Sequence, residues 1–513
     1  MKKIFYFAAA AMIAAIAGCT EDIIAPDNQE GSGQETVSTG NDSGLMPHKT
    51  IKVSSADTRT SLSGLQILWD EGDQISLFNQ DGQTCTYTLV GEGGQTYGDF
   101  KTETEPETGY RYAIYPATEG QAEGSSVAAG IPAVQTYDGK NFPAPYPMAA
   151  VSADGENFSF TNLATVISLN LVGDASVKKI SITAAGGEEI AGDALVDCSG
   201  EIPSLSISGE GSSTVTLEIG KAVALSAVPS EFKFIVAPGT YSNGFRITVT
   251  DNADKTTEIA TAAAEVTLTA GTIKNFGGQM GVYAKEFENI YILGDGTFYT
   301  PWSLDEMTGN PAFNSENPEA SEWSSAFTHA GNGIYTWTGV LAPGTFKFPW
   351  KNSFNDFFGY QDGRLVYHPD GASDDPKYTV GTAGNYTITI DIHKLTFDIK
   401  TNSTYSVPEE LYLIGDVTPG GWDLSKAIKM ENQGNGIFYV EAKLSDSGNA
   451  EGFKFVFNRN TYDGIQFAWA LNRIWQGGTD RKNDMVGNEG YGDGLYSIRV
   501  DTVNWTYELK KKS

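Results

Sequence analysis

The second half of the chain carries one series of landmarks twice, and this duplication constrains the fold more than any other feature. Residues 290–399 and 411–509 each open on a hydrophobic run that ends in Gly-Asp, and each closes on a run that includes aromatic residues. The offset between the copies is 121 residues at Gly294 and Gly415. The repeated units of solenoid proteins are about 20–50 residues long, which is much shorter than this offset. The pattern therefore predicts two copies of a whole domain.

The remaining landmarks are short and are separated by turn-forming residues, which is typical of strands. Residues 503–509 alternate between large apolar and polar side chains, which predicts a strand with Trp505 in the core. Short runs of the same kind occur at 110–115 and 165–171 in the first half. We therefore expect an all-β chain built of tandem β-sandwich domains. The paired landmarks are Gly333-Ile334-Tyr335 with Gly436-Ile437-Phe438, Phe346-Lys347-Phe348 with Phe453-Lys454-Phe455, and Gly384-Asn385-Tyr386 with Gly494-Leu495-Tyr496.

Charge and histidine content argue against several functions. The formal net charge of −30 argues against nucleic-acid binding, which depends on Lys and Arg neutralising phosphates. It argues equally against docking on an anionic membrane through protein charge. The four histidines are scattered, without a pair at metal-ligand spacing, so we expect no metal, no cofactor and no catalytic triad. The acidic run at 370–375 is either a calcium loop or a solvated turn, and it lacks the full EF-hand spacing.

The first 48 residues have the pattern of an export signal followed by a tether. Two lysines precede an apolar run at 4–17, and small residues stand directly before Cys19. This arrangement resembles a lipobox, which implies removal of a signal peptide, 1–18, and lipid on Cys19; an ordinary signal with a chance cysteine is the alternative. The next residues, Thr-Glu-Asp, resemble the tract that sends some Bacteroidota lipoproteins to the cell surface. Residues 19–48 are polar and predict a flexible tether. We therefore expect a lipid-anchored outer-membrane protein that faces the exterior.

The first half of the chain divides into two predicted sandwiches, 49–171 and 172–284. Cys85 and Cys198 are far apart, and we expect them to be buried residues rather than a disulfide. This half also contains a series of short stretches, Thr58-Arg59-Thr60-Ser61-Leu62, 69–78, Ala113-Ile114-Tyr115-Pro116, Ile131-Pro132-Ala133-Val134-Gln135, Phe160-Thr161-Asn162-Leu163 and Pro238-Gly239-Thr240-Tyr241-Ser242-Asn243-Gly244-Phe245. In these stretches and their order it resembles the fimbrillin-like family of surface lipoproteins. The resemblance implies two β-sandwich domains and a place in surface fibres or stalks.

Eight of the nine tryptophans lie between residues 302 and 505, within the duplicated half. A flat aromatic ring beside hydrogen-bonding side chains suits a sugar, because the ring stacks on a C–H face while the hydroxyls reach Lys, Arg, Asn or Asp. The alternative is that tryptophan fills sandwich cores, as we expect of Trp337 and Trp505. Aromatic residues in polar loops favour binding instead. The candidate glycan-binding residues are Trp302, Lys347, Trp350, Tyr360, Trp422, Lys454, Asn458, Trp469 and Trp475.

Two of these candidates, Lys347 and Lys454, each lie between two phenylalanines. Strand alternation predicts that the phenylalanines face inward and the lysines outward. A solvated strand position is the usual meaning of such a lysine. Donation to sugar hydroxyls is the functional one, with Trp350 near Lys347 in one copy and Asn458 and Arg459 near Lys454 in the other. Trp302 and Trp422 follow the two Gly-Asp pairs, outside any alternating run. Each is either a lid on the core or a binding platform.

The order Gly-Asp, Gly421-Trp422-Asp423, Gly-Ile-aromatic, Phe-Lys-Phe and Gly-x-Tyr-x-Ile resembles the SusE/SusF family of outer-membrane starch-binding lipoproteins, over 288–402 and 408–513. The resemblance implies carbohydrate-binding modules without catalysis, a polysaccharide ligand such as starch, and a place beside an outer-membrane glycan transporter. Tyr360, Trp350, Trp469 and Trp475 fit the general pattern of its sites. Carried over by position, the early tryptophan and the strand lysine of the family fall on Trp302 and Lys347 in the first copy and on Trp422 and Lys454 in the second.

We therefore expect a non-catalytic surface lipoprotein whose two C-terminal modules capture a polysaccharide. Two weak sites on one chain gain from effective concentration when both reach one polymer. The alternative is a fimbrial or adhesive component that assembles by strand addition, with Arg59 as a processing point. A glycoside hydrolase would need a carboxylate pair about 5–10 Å apart. No segment resembles a catalytic motif, so we expect no enzyme.

Overall fold

The computed structural model describes only part of the chain, and all of that part belongs to one compact unit, His48–Ser513. The described side chains exclude those of residues 55, 277, 353–355, 466–470 and 473–476. Strands dominate, so the predicted all-β class is confirmed. Among the described residues, no helix is long and apolar enough to cross a membrane. The described residues are 50–55, 68–103, 109–119, 122–139, 143–297, 326–350, 353–369, 374–445, 452–460, 466–470, 473–476 and 493–512.

Most of the first ten strands form a barrel. Its order is β1-β10-β9-β5-β2-β3-β4. Trp69 is buried at its centre and packs edge-on against Phe100 and Phe160, so this tryptophan belongs to the core. β1 pairs in parallel with β10 and antiparallel with β4, and this six-residue strand therefore closes the barrel. The ten strands are β1 Thr50–Ser55, β2 Gln74–Phe78, β3 Thr84–Leu89, β4 Tyr97–Lys101, β5 Tyr112–Tyr115, β6 Ala122–Glu123, β7 Ser126–Ile131, β8 Val134–Tyr137, β9 Met148–Val151 and β10 Asn157–Asn162.

The second domain begins at β11 and borrows three strands from the first. β11 pairs with β16 and β21, while β7 pairs with β13 and β8 with β15. Three strands between residues 122 and 137 thus lie in sheets with strands of the second half of this region. An apolar run such as 165–171 predicts a strand but not the sheet that it joins. The strands are β11 Thr165–Gly173, β12 Ser176–Ala184, β13 Gly192–Asp197, β14 Ser204–Ile207, β15 Thr214–Ala224, β16 Ser230–Val236, β17 Gly239–Tyr241, β18 Phe245–Asp251, β19 Thr256–Ala260, β20 Val266–Leu268 and β21 Ile273–Val282.

The first duplicated module is a sandwich of two main sheets. One has the order β22-β23-β29-β30 and the other β25-β26-β27, while β24 pairs with β28. Single bridges attach Ile290 and Leu293 to the second sheet. Phenylalanine, isoleucine and leucine side chains from both sheets share one buried cluster between them. The strands are β22 Thr328–Gly331, β23 Ile334–Leu341, β24 Gly344–Phe346, β25 Phe348–Trp350, β26 Ser353–Gln361, β27 Arg364–His368, β28 Tyr378–Val380, β29 Gly384–Asp391 and β30 Thr396–Thr404.

The second module repeats this arrangement with an extended second sheet. Its sheets have the orders β33-β34-β38-β39 and β32-β31-β35-β36-β37. β34 pairs with β38 over eight residues, as β23 pairs with β29 in the first module. The duplication read from the landmarks is therefore a duplication of strand pairing. The strands are β31 Tyr412–Ile414, β32 Ile428–Lys429, β33 Glu431–Gly434, β34 Ile437–Leu444, β35 Lys454–Val456, β36 Gln466–Ala470, β37 Arg473–Gln476, β38 Gly494–Asp501 and β39 Thr506–Lys511, with a 3-10 turn at Leu424–Lys426 before β32.

The repeated Gly-Asp landmark has a structural role in both modules. A Cβ on Gly415 would lie 2.1 Å from the carbonyl oxygen of Gly452, and a Cβ on Gly294 would lie 2.1 Å from that of Thr345. The next residue, Asp416, accepts a hydrogen bond from the Gly452 amide at 2.8 Å. Only glycine allows the two segments to approach this closely. The landmark therefore marks a close backbone contact rather than a binding site.

A lysine-centred network joins the second domain to the first module. The Lys285 ammonium lies 3.2 Å from a carboxylate oxygen of Asp174 and also donates to Asp356. Its third contact is the hydroxyl of Tyr367, at 3.2 Å. Burial lowers the pKa of Lys285, but the contacts with Asp356 and Tyr367 together outweigh burial, and the pKa lies above the ordinary value. These bonds connect the β11–β12 turn with β26 and β27.

Candidate functional site

The two landmark lysines lie on the outer face of a sheet whose inner face is the core. Their flanking phenylalanines are fully buried, as alternation predicts. The lysines themselves, however, are only 5% exposed at Lys347 and 7% at Lys454. The expectation that they face solvent is therefore wrong for both positions. Another segment of the protein covers each lysine, and strand alternation does not predict the position of that segment.

In the first module, a segment before β28 covers the lysine. The Lys347 ammonium lies 2.8 Å from a carboxylate oxygen of Asp375 and 3.7 Å from the centre of the Phe357 ring. Asp375 also pairs with Lys377 at 2.7 Å. Burial raises the pKa of Asp375, but the hydrogen bonds from both lysines outweigh it, so the pKa lies below its ordinary value. Lys347 is thus held by the module's own carboxylate.

In the second module, the corresponding lysine lies beneath an indole ring. The Lys454 ammonium is 5.2 Å from the centre of the Trp422 ring. Trp422 and Leu424 are half-buried and pack on a small apolar cluster that includes Tyr412 and Val456. Trp422 is therefore both a lid on this cluster and a partly exposed ring next to a cation. The two meanings that the sequence left open are combined in one residue.

The turn that presents Trp422 is fixed by its neighbour Asp423. The Asp423 carboxylate accepts hydrogen bonds from the Ser425 hydroxyl at 2.6 Å and from the Ser425 amide at 3.0 Å. These bonds cap the short 3-10 turn at Leu424–Lys426. The hydroxyl contact, followed by an ion pair with Lys426, lowers the pKa of Asp423. The capped turn holds the indole at a defined position over the sheet.

A second aromatic ring, Tyr412, lies on the same outer face between two cations. Its ring centre is 4.9 Å from the Arg459 guanidinium carbon and 6.0 Å from the Lys429 ammonium. Its hydroxyl donates to Glu410 at 2.6 Å, which raises the pKa of Tyr412. Lys429 also pairs with Glu410, and this hydrogen bond lowers the carboxylate pKa. Arg459 is exposed and donates to the backbone oxygen of Ala427 at 2.6 Å.

We call this set the aromatic–cation face of the second module. It comprises Tyr412, Trp422, Lys429, Lys454 and Arg459. Sequence reasoning proposed Trp422 and Lys454 and named Arg459 as a neighbour of Lys454, but it missed Tyr412 and Lys429. For Tyr412 a usable signal was present, because alternation from the buried Leu413 places Tyr412 on the opposite face of its strand.

Two aromatic candidates of the first module belong to its interior. Trp350 ends β25 and packs against Phe287, with ring centres 5.2 Å apart. Tyr360 packs against Tyr378 and Phe397, with ring centres 5.0 Å apart in both pairs. Both candidates are half-buried at the edge of the core. The structure therefore does not bring them to the face that carries Lys347.

Three candidates of the second module have different positions. The side-chain oxygen of Asn458 accepts a hydrogen bond from the Asn460 amide at 2.8 Å. Asn458 therefore shapes the turn that contains Arg459. Trp469 pairs in register with Ile474, and Trp475 pairs with Ala468, so the two tryptophans are not partners across the β36–β37 hairpin. Their side chains lie outside the described part of the structure.

Several other predictions also concern residues outside the described ranges. Trp302 and Arg59 are among them, as are Cys19 with the segments 1–18 and 19–48. Of the acidic run 370–375, the structure describes only the last two residues. Within the described residues, no group of three or more His, Cys, Asp or Glu side chains is placed to hold a metal ion. Cys85 and Cys198 are both buried and are not joined by a disulfide.

Comparison with known proteins yields a few structures of low similarity. No protein-family model matches the chain, and no curated protein matches it. A proposed cell-adhesion protein of Bacteroides uniformis is 14% identical, with a TM-score of 0.30, over 46% of this chain and 93% of that one. A proposed cell-adhesion protein of Bacteroides ovatus is 14% identical, with a TM-score of 0.31, over the same shares. A fimbrial protein of Bacteroides ovatus is 15% identical, with a TM-score of 0.22, over 58% of this chain and 67% of that one.

Proposed function

We propose that this chain is a non-catalytic cell-surface lipoprotein that captures a polysaccharide through the aromatic–cation face of its second C-terminal module. The observation that carries the proposal is the position of Trp422 over Lys454, beside Tyr412 and Arg459. A partly exposed indole offers a stacking surface for a sugar ring. Neighbouring ammonium and guanidinium groups donate hydrogen bonds to hydroxyls.

The first module is the weaker candidate. Its Lys347 is engaged by Asp375 and lies against Phe357, so the ammonium is directed to the module's own groups. Its aromatic candidate Trp350 packs on the core, and Tyr360 packs on Tyr378 and Phe397 at the edge of that core. In this proposal the first module and the two N-terminal domains hold the second module away from the membrane, to which lipid on Cys19 anchors the chain.

The resemblance to SusE/SusF proteins makes starch the first ligand to try and an outer-membrane glycan transporter the expected partner. The full chain, without its signal peptide, is titrated calorimetrically with starch, β-glucan and fructan. We expect one glycan class to bind, and both Trp422→Ala and Arg459→Ala to weaken that binding about tenfold or more. Arg246→Ala is the matched control, because Arg246 is an exposed arginine of the second domain that pairs with Glu258 at 3.3 Å.

Arg459 is exposed, so its replacement tests the proposal even when loss of Trp422 disturbs the turn. Unchanged affinity in folded Arg459→Ala and Trp422→Ala proteins would refute the site. Absence of binding to every glycan by the folded chain would refute the function.

A second candidate function is a fimbrial or adhesive component that assembles by strand addition. The observation that favours it is β1, a short N-terminal strand whose loss would leave the edges of β4 and β10 unpaired. Arg59, the candidate processing point, follows that strand along the chain. Cleavage after Arg59 followed by size-exclusion chromatography tests this function. Concentration-dependent polymers would support it, and a stable monomer after loss of β1 would contradict it.

A further inference from the structure

A cleft of about 200 Å³ lies where the second domain meets the first module. Val172 and Gln279 line it from the second domain, and Gln361, Arg364 and His368 line it from the hairpin of β26 and β27. The two walls are held together by the contacts of Lys285 with Asp174 and Asp356. The cleft is thus a fixed feature of the junction. It is separate from the aromatic–cation face, which belongs to the second module.

One wall of the cleft carries an arginine without an acidic partner. Arg364 is half-buried, and its guanidinium makes no hydrogen bond or ion pair with any described residue. The protein has a formal net charge of −30, so acidic partners are abundant elsewhere on its surface. A guanidinium binds a carboxylate through two parallel hydrogen bonds. Arg364 therefore provides a carboxylate-binding group inside the cleft.

The same wall carries a buried histidine. His368 is 7% exposed, stacks on Phe357 and bonds through Nε2 to the backbone oxygen of Asp374. With the ring held in this way, His368 forms part of the wall of the cleft.

The glutamines and the size of the cleft narrow the ligand further. The side-chain amides of Gln279 and Gln361 make no hydrogen bond with described residues, and each can both donate and accept. Clefts for drug-sized ligands measure about 300–1,000 Å³, so this one is suited to a smaller molecule. Asp374 also lines the cleft, and its carboxylate lies 3.3 Å from His368 Nε2.

We infer that this junction cleft binds a single uronate unit, either as a free sugar acid or as a residue of an acidic glycan. The carboxylate lies on Arg364, and the hydroxyls lie on the side-chain amides of Gln279 and Gln361. The chain then has an acidic-sugar site in addition to the polymer-binding face of the second module.

The test is a calorimetric or NMR titration of the full chain with galacturonate and glucuronate. Galactose, glucose, acetate and inorganic phosphate serve as comparison ligands. We expect one uronate to bind at least about tenfold more tightly than each comparison ligand, and Arg364→Ala to weaken it about tenfold or more. Gln361→Ala is the second variant, because Gln361 is exposed and its loss does not disturb the core.

Arg459→Ala is the matched control, since it removes an arginine from the other site. It should leave uronate binding unchanged, and Arg364→Ala should leave binding of the polymer at the second module unchanged. Equal affinity for neutral sugars, for acetate or for phosphate would overturn the inference. So would unaltered uronate binding in the folded Arg364→Ala and Gln361→Ala proteins, or absence of uronate binding.

Discussion

Replacement of Gly415 by alanine should destabilise the second module far more than replacement of a glycine that only has a positive φ. The new Cβ would lie 2.1 Å from the Gly452 carbonyl oxygen and 2.4 Å from the Phe453 Cα. Both atoms are backbone, so no side chain can rotate away and the two segments must separate. Overpacking of this kind costs about 1–3 kcal/mol, and the unfavourable φ of +155° adds about 1 kcal/mol. We expect a loss of about 3 kcal/mol.

The control is Gly434→Ala. Gly434 has a φ of +87°, but a Cβ at this position meets nothing within 4 Å. Its replacement should therefore cost only the backbone strain, about 1 kcal/mol. Gly294→Ala should behave like Gly415→Ala, but in the first module, because its Cβ would meet the Thr345 oxygen at 2.1 Å.

Native-state hydrogen exchange with mass spectrometry is the suitable assay, since a chain of several domains does not unfold in two states. A loss of about 3 kcal/mol corresponds to about 150-fold faster exchange in β31 and β35, and the control should show about fivefold. Exchange in the barrel should not change. If Gly415→Ala exchanges no faster than Gly434→Ala, the interpretation of Gly-Asp as a close backbone contact is wrong.

Two further predictions concern the modules. The pKa of Asp375 in the folded protein lies below its ordinary value, so its ion pairs stabilise the first module above about pH 4 and are lost as the pH falls through the lower folded pKa. Asp375→Asn should flatten this part of the pH dependence of thermal unfolding. An unchanged profile would contradict the pairing with Lys347. Trp505→Ala removes an indole that is 1% exposed and should lower the free energy of unfolding by about 3–5 kcal/mol. The loss is measured as faster hydrogen exchange in β38 and β39. A loss below about 1 kcal/mol would show that Trp505 is not in the core.

The sequence predicted the class of the fold and the duplication because both depend on local patterns. The alternation around Phe346 and Phe453 is a local property of each strand, and both side chains face the core. The strand predicted at 503–509 begins later in the chain, because β39 starts at Thr506 and Trp505 lies in the preceding turn with a φ of +55°. Leu395 occupies the same place in the first module with a φ of +54°. Alternation alone could not reveal a turn that buries its last residue.

The environment of the landmark lysines could not be predicted in the same way. Burial of Lys347 depends on Asp375, which is 28 residues away in the chain. The position of Trp422 over Lys454 depends on a capped turn that packs on the sheet from outside. Alternation reports which face of a strand a residue occupies, but not what covers that face. For this reason the sequence pattern predicts equivalent positions for Lys347 and Lys454, although the two side chains have different partners in the structure.

The most direct test of the proposed glycan-binding function is hydroxyl-radical footprinting of the full chain with and without the polysaccharide that binds it. The account predicts protection of Trp422 and of the turn around Arg459, with no protection of Trp350 or Tyr360 in the first module. Protection confined to the first module, or to the N-terminal domains, would contradict the assignment of polysaccharide capture to the aromatic–cation face.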